Sequence, residues 1–198
     1  MNHRKLLSAV AALLISTTML QAKDYIITEY GAANDTTKLS TEAIQHAIDD
    51  CSKAGGGRVV VPTGNYKTGT IILKSHVELY LEHGATLFGS TQLKDYKRLK
   101  PNYLSLRTQT ETIQLIYAAE ADDIAITGSG TIDGRGKGFA KLSWNDEGIT
   151  RPHLLRFIDC RAVTVEGITP RNSGCWMQHY LACDRVKITG ITIINRNK

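Results

Sequence analysis

Two stretches of this 198-residue sequence superimpose at a constant offset. DCRAVTVEGITPRNSGCW begins at Asp159 and ACDRVKITGITIINRNK at Ala182. Cys160 then meets Cys183, Val163 meets Val186, Val165 meets Ile188, and Gly167-Ile168-Thr169 meets Gly190-Ile191-Thr192, an offset of 23 residues throughout. A third copy, Asp122 to Gly128, places Ile124 against Val163 at an offset of 39. The 16 extra residues coincide with a polar, glycine-rich excursion between Gly134 and Gly148. Each copy holds short runs with alternating apolar residues, closed by turn residues. A unit of that size cannot bury an apolar face alone. It must stack on its neighbours, and insertions in single repeats then fall on one face of the stack.

Short strands are expected at Val59–Val61, Thr70–Leu73, Val77–Leu81, Thr86–Phe88, Ile113–Tyr117, Ile124–Thr127, Thr131–Asp133, Leu154–Ile158, Val163–Val165, Ile168, Val186–Ile188 and Ile191–Ile194. Turns separate them at Pro62-Thr63-Gly64-Asn65, Gly128-Ser129-Gly130 and Asp133-Gly134-Arg135-Gly136. The tight two-residue connections of antiparallel meanders are missing. The pattern therefore predicts an all-β chain, a right-handed parallel β-helix in which like residues of successive coils lie one above another. Ahead of the coils, Lys23–Thr28 reads as a strand with a turn at Gly31. Ser40–Lys53 reads as a helix with Ala43, Ile44, Ala47, Ile48 and Cys51 on one face, Ser40 as its N-cap and Gly55-Gly56-Gly57 after its end. An amphipathic helix at the start of a solenoid has an evident use, as the N-terminal cap over an open apolar end.

The first residues follow a different rule. Asn2-His3-Arg4-Lys5 is basic, Leu6–Leu20 is apolar, and Ala22 is a small residue before Lys23. That pattern predicts a cleaved signal peptide over residues 1–22, a mature domain over residues 23–198 and a secreted or periplasmic location. No other segment is a candidate membrane span. The 24 Lys and Arg against 19 Asp and Glu give a net charge of +5. Without Arg4 and Lys5 it falls to +3, and the remaining cations are dispersed, which argues against nucleic acid as a partner. Four cysteines in an exported chain could form disulfides. Cys160 and Cys183, however, occupy one repeat position, where strands lie about 4.8 Å apart and a disulfide needs Cβ atoms nearer about 3.8 Å. Free stacked thiols are expected. The sequence has no Cys or His spacing of a zinc site, and no metal or cofactor is expected.

Taken together, ITEYGAANDTTKLSTEAIQHAIDDCSKAGGGRVVVPTGNYKTGTIILKSHVELYLEHGATLFGS, ITGSGTIDGRG, RPHLLRFIDCRAVTVEGIT and RNSGCWMQHYLACDRVKITGITI resemble family 28 of the glycoside hydrolases, the polygalacturonases and their relatives, over essentially all of residues 24–197. The resemblance implies inverting hydrolysis of α-linked uronic acid or related glycosides of pectin. Such chemistry needs one carboxylic acid for the leaving oxygen and a carboxylate about 6.5–9.5 Å away to activate water. In the family these groups stand in N-x-D, D-D and G-H-G motifs, with an R-x-K motif for the substrate carboxylate. All follow the strand matched here by Ile191–Ile194, so none of the catalytic residues is expected in this sequence. The chain reads as the N-terminal portion of such an enzyme, inactive alone.

Look-alikes are assigned to structure. Asp122-Asp123 opens a strand in an early coil, Asp49-Asp50 lies on the helix, Arg185-x-Lys187 sits at a strand edge, and His83-Gly84 lacks its first glycine. The Trp-x-x-His of the family, here Trp176 and His179, borders the cleft floor, which makes both candidate substrate-binding residues. Arg151 and Arg171 join them as cations able to pair with a polysaccharide carboxylate. Pro170 stands at the repeat position of Ile193, where a strand N–H is expected, so it should end or distort that strand. A pectate lyase-like enzyme and a non-catalytic glycan-binding β-helix are the alternative readings on the same scaffold.

Overall fold

The backbone winds through the same three directions again and again. The computed structural model describes residues 23–100, 102–103, 112–140 and 151–196. The first coil holds β1 (Asp24–Ile26), a 3-10 turn (Ile27–Tyr30), β2 (Asp35–Leu39) and the helix α1 (Thr41–Lys53). The second holds β3 (Gly57–Val61), β4 (Gly64–Thr68) and β5 (Ile71–Ile72). The third holds β6 (Val77–Leu81), β7 (Ala85–Gly89), β8 (Arg98–Leu99) and β9 (Thr112–Ala119). The fourth holds β10 (Asp122–Gly128), β11 (Thr131–Asp133) and β12 (His153–Ile158). The fifth holds β13 (Arg161–Glu166), β14 (Thr169–Arg171) and β15 (Gln178–Leu181), and β16 (Asp184–Thr189) opens a sixth.

Corresponding strands form three parallel sheets. Sheet A runs β1-β3-β6-β10-β13-β16, sheet B β2-β4-β7-β11-β14, and sheet C β5-β9-β12-β15. Among the described strands, only β8, which lies antiparallel against β9, departs from the pattern. The chain is a right-handed parallel β-helix, as the repeat predicts. The register agrees residue by residue: Ile124 pairs with Val163 and Val163 with Val186.

The core is a set of vertical ladders. Val59, Leu79, Ile126, Val165 and Ile188 succeed one another on five coils of sheet A. All but Ile188 are fully buried. Each such side chain contributes about 1.5–3 kcal/mol, and identical placement on each coil explains why the sequence repeats its apolar residues so strictly. Cys160 belongs to the same interior, and the four cysteines are free thiols. Cys160 accepts the N–H of Asp184 on its carbonyl at 2.9 Å, which sets Cys183 directly against it.

At the first coil, α1 lays Ile44, Ala47, Ile48 and Cys51 on the core. This is the expected cap. Ser40, however, does not cap the helix with its side chain. Its Oγ accepts the N–H of Ala33 at 3.0 Å, tying the helix to the preceding loop. The expected strand Lys23–Thr28 also shortens, because the chain turns at Ile27 to bury that side chain.

The corners differ in kind. From sheet C to sheet A the turn is identical on successive coils: Glu120, Asp159 and Ala182 take φ near +50°, as do Asp123, Ala162 and Arg185. From sheet A to sheet B a left-handed glycine recurs at Gly128, Gly167 and Gly190. A Cβ on Gly167 would lie 2.4 Å from the carbonyl oxygen of Gly128 in the coil below, so the close stacking of coils demands glycine there. The corner from sheet B to sheet C takes most of the length variation. One insertion leaves after β7 and another after β11, and both return to sheet C. The expected excursion of residues 134–148 is the second of these. It opens with a 3-10 turn, Gly136–Phe139, and its residues 141–148 lie outside the described residues, as does the expected leader, residues 1–22.

Pro170 corrects the expectation that it ends its strand. It sits inside β14, opposite Ile132 of β11, in a buried ladder with Leu87 and Tyr66. Towards β11 the hydrogen bonds are made by its neighbours: Thr169 N donates to Gly130 O at 2.9 Å, and Gly134 N to Arg171 O at 2.9 Å. The absent N–H therefore faces the next coil. There Ile191–Ile194, expected as a strand, keeps only a bridge between Arg171 and Ile194.

Candidate functional site

Three of the four sequence candidates, Arg151, Trp176 and His179, lie on sheet C or just before its strands β12 and β15, and Arg171 does not. A local break in the strand alternation sets up the outer face of sheet C, with the register between coils unbroken. Leu154 and Leu155 donate consecutive N–H groups to Trp176 O (2.9 Å) and Met177 O (3.1 Å). Both leucines belong to the core. Two inward residues in a row break the strand alternation, so His153 emerges on the same outer side as Arg156.

Trp176 and His179 are brought together, ring centroids 4.9 Å apart and nearly perpendicular. His153 completes a trio, 5.3 Å from Trp176 edge-on and 6.0 Å from His179 in a stacked arrangement. Trp176 is 40% exposed, whereas His153 and Arg156 are 0% exposed. Arg156 pairs in register with Tyr117 on one side and His179 on the other. The face thus descends from a solvated indole through a half-buried imidazole to a buried guanidinium.

The electrostatics follow from burial. Desolvation pushes the His153 imidazole down to about 3, and the adjacent Arg156 and His179 add to the effect. His179 is lowered for the same first reason, with Arg156 second. Both imidazoles are neutral near pH 7. Desolvation lowers Arg156 as well, but a guanidinium stays charged across the physiological range. This stretch of sheet C therefore carries one buried positive charge.

Arg151 lies just before β12, close enough for its charge to lower the Cys175 thiol against a larger rise from burial. Arg171 is placed elsewhere, on sheet B, and its Nε donates to Asp133 Oδ2 at 2.8 Å. Asp133 is 6% exposed and also accepts from Asn172 Nδ2 at 3.2 Å and Arg135 N at 2.9 Å. Asp133, Asn172 and Arg135 line a cavity of about 400 Å³ with Lys137 and Arg196. A carboxylate held by three donors is a fixed acceptor that anchors the insertion. Gly134 beside it could not carry a Cβ without meeting Asn172 O at 2.8 Å.

The look-alikes stand in exposed ion pairs. Asp123 is a corner residue, 77% exposed in its side chain, 3.6 Å from His76 Nδ1. Lys187 stands 3.5 Å from Glu166 on the open edge of sheet A, and Arg185 pairs with Asp184. Among the described residues no group of three or more acids, histidines or cysteines is placed to hold a metal ion. His153, Arg156 and Asp133 escaped sequence reasoning. Arg156 had a signal: a charge inside the apolar run HLLRFI, one repeat before His179.

Comparison with known proteins places these features in context. The model of the family described as Glycosyl hydrolases family 28 matches residues 51–198. A Vitis vinifera protein named "Probable polygalacturonase" is 30% identical over 192 residues, covering 92% of this chain and 39% of its own length. The exo-poly-alpha-D-galacturonosidase of Dickeya chrysanthemi is 37% identical over 165 residues, covering 79% of this chain and 27% of its own. The structure of the family 28 exopolygalacturonase of Yersinia enterocolitica superposes with a TM-score of 0.73 at 26% identity, over 88% of this chain and 39% of that one. The chain thus spans well under half the length of these relatives.

Proposed function

The chain belongs to family 28 of the glycosyl hydrolases, and on that premise we propose that it serves an exported polygalacturonase-like enzyme, one that hydrolyses galacturonan of the pectin type by inversion. In this reading the outer face of sheet C is the cleft floor, and Trp176 and His179 border the sugar chain. The observation that carries it is the makeup of that face. It sets an exposed indole at its border beside two imidazoles and a buried guanidinium, groups that can stack on pyranose rings and attract carboxylates. The relatives named for galacturonan support the choice of polymer. The apolar leader supports export.

Inversion requires two opposed carboxyl groups about 6.5–9.5 Å apart. Among the described residues, no acid lies on this face in register with another on the next coil, and Asp133 is engaged by Arg171 and Asn172. We assign these coils to substrate binding and expect no turnover from them alone. The test is release of reducing ends from polygalacturonate, by this chain and by a chain extended through further coils. Turnover by the extended chain only is the expected result. Binding of polygalacturonate without turnover by either would favour a glycan-binding solenoid and overturn the hydrolase assignment.

A further inference from the structure

Arg156 poses a problem that the fold does not solve. It is the largest fully buried side chain among the described residues, and its Nε, Nη1 and Nη2 have no hydrogen-bond partner. Its neighbours in register are Tyr117 and His179, neither of them an anion near neutral pH. Both ring nitrogens of His153 and Nδ1 of His179 are equally without partners. A buried charge is normally paired, because leaving it alone forfeits its hydration with nothing in return. Here a planar five-donor fork and two imidazoles share a face that, among the described residues, offers no acceptor of matching charge.

The same face is open to solvent at one point. Trp176 is 40% exposed, and its ring lies edge-on to both imidazoles. An exposed indole beside a buried guanidinium suits a ligand with an apolar ring face and an anionic substituent. A carboxylated pyranose has both.

We propose that Trp176, His179, His153 and Arg156 form a carboxylate-selective sugar subsite on sheet C, in which Arg156 pairs with the carboxylate of a uronic acid unit and Trp176 stacks on its ring. The choice of galacturonate rests on the polygalacturonase reading. The pairing of Arg156 with a carboxylate rests on the missing partners alone. A bidentate guanidinium–carboxylate contact supplies the acceptors that the site lacks. Neutral imidazoles add a donor and an acceptor each for sugar hydroxyls. No bond is made or broken here. This is binding, upstream of whatever groups perform hydrolysis.

The experiment uses the full chain and two probes of equal length, tri-galacturonate and neutral galactotriose. In ¹⁵N NMR the Arg156 Nε–H signal should shift on addition of tri-galacturonate and stay fixed with galactotriose. Arg156→Met should lose at least tenfold in affinity for tri-galacturonate, and without ligand it should melt no lower than the parent chain, since an unpaired charge has been replaced by an apolar stem. Arg156→Lys, which keeps the charge and loses the planar fork, should retain part of the affinity. An unshifted Arg156 signal, or an Arg156→Met chain that binds tri-galacturonate as well as the parent, would overturn the proposal. So would a marked loss of unliganded stability in Arg156→Met, because it would mean that the chain itself supplies the counter-charge. Hydrolysis of polygalacturonate is scored separately. A shifted Arg156 with no turnover from any extended chain removes the enzyme and keeps the subsite.

Discussion

The carbonyl of Pro170 accepts the N–H of Ile194 at 3.1 Å, and the carbonyl of Ile168 accepts that of Thr192 at 3.1 Å, so the sixth coil is joined to the fifth on both sides of the proline. What Pro170 cannot do is return an N–H to the carbonyl of Thr192. The ladder is therefore one bond short at its centre, and the segment Ile191–Ile194 is a bridge and not a strand. Proline keeps its place because the ring fills the buried ladder above Ile132, and because its missing donor points away from β11.

Pro170→Ile should supply that bond while filling the same ladder. The expected gain is about 1 kcal/mol, the net worth of one hydrogen bond, seen as a modest rise in melting temperature. Amide exchange should slow at Thr192 and Ile194. An unchanged exchange pattern would show that the sixth coil is held off for another reason.

Gly167→Ala should be among the most damaging small changes in the chain. The added methyl lies 2.4 Å from a backbone oxygen that cannot move without shifting a coil, and φ is +75°. Left-handed backbone alone costs an alanine about 1–2 kcal/mol, and the clash adds to it. A loss of roughly 3 kcal/mol is expected in denaturant unfolding. Ala162→Gly tests the converse: φ is +51° in a half-buried corner, and relief of the strain should raise stability by a few tenths of a kcal/mol to about 1 kcal/mol.

Asp133→Asn should cost about 2 kcal/mol, the order expected when a buried acceptor of charge-assisted hydrogen bonds is neutralised. Arg171 is 36% exposed, so solvent takes back part of its loss. A double-mutant cycle with Arg171→Met checks the coupling, and a coupling near zero would mean that Asp133 acts through Asn172 and Arg135 alone.

These sites mark how far the sequence could be read. Gly128, Gly167 and Gly190 were legible as repeats because one steric demand recurs on each coil, and the alternating ladders of sheet A were legible for the same reason. Sheet C was harder. Leu154 and Leu155 both turn into the core, which shifts the alternation by one residue, so His153 faces outward although period-two reading from Leu155 would send it inward. The strands β2 and β4 were missed because Asp35–Leu39 and Gly64–Thr68 carry turn-prone and polar residues, held extended by coil stacking and not by their own preference. Trp176 and His179 became candidates through a motif, and the structure brings their rings together. Arg156 stood in plain view inside an apolar run, but its lack of a partner is a fact of three dimensions.

The buried imidazole of His153 makes a prediction about pH. Its folded-state value is held near 3, mainly by burial and then by Arg156 and His179, whereas the unfolded chain titrates at the ordinary 6.5. Between those values the unfolded state binds a proton that the folded state refuses. Stability is fully present above about pH 6.5 and is lost as pH falls, with a slope from His153 of up to about 1.4 kcal/mol per pH unit. His179, lowered in the same direction, steepens the upper part of the window. His153→Gln keeps a polar side chain and removes the titration, so it should flatten the stability profile between pH 6 and pH 4. Arg156→Met should also flatten it in part, because removing the neighbouring charge lets both imidazoles protonate more readily. Chemical unfolding of the three chains at half-unit pH steps measures each slope, and a His153→Gln chain as acid-sensitive as the parent would place the titrating group elsewhere.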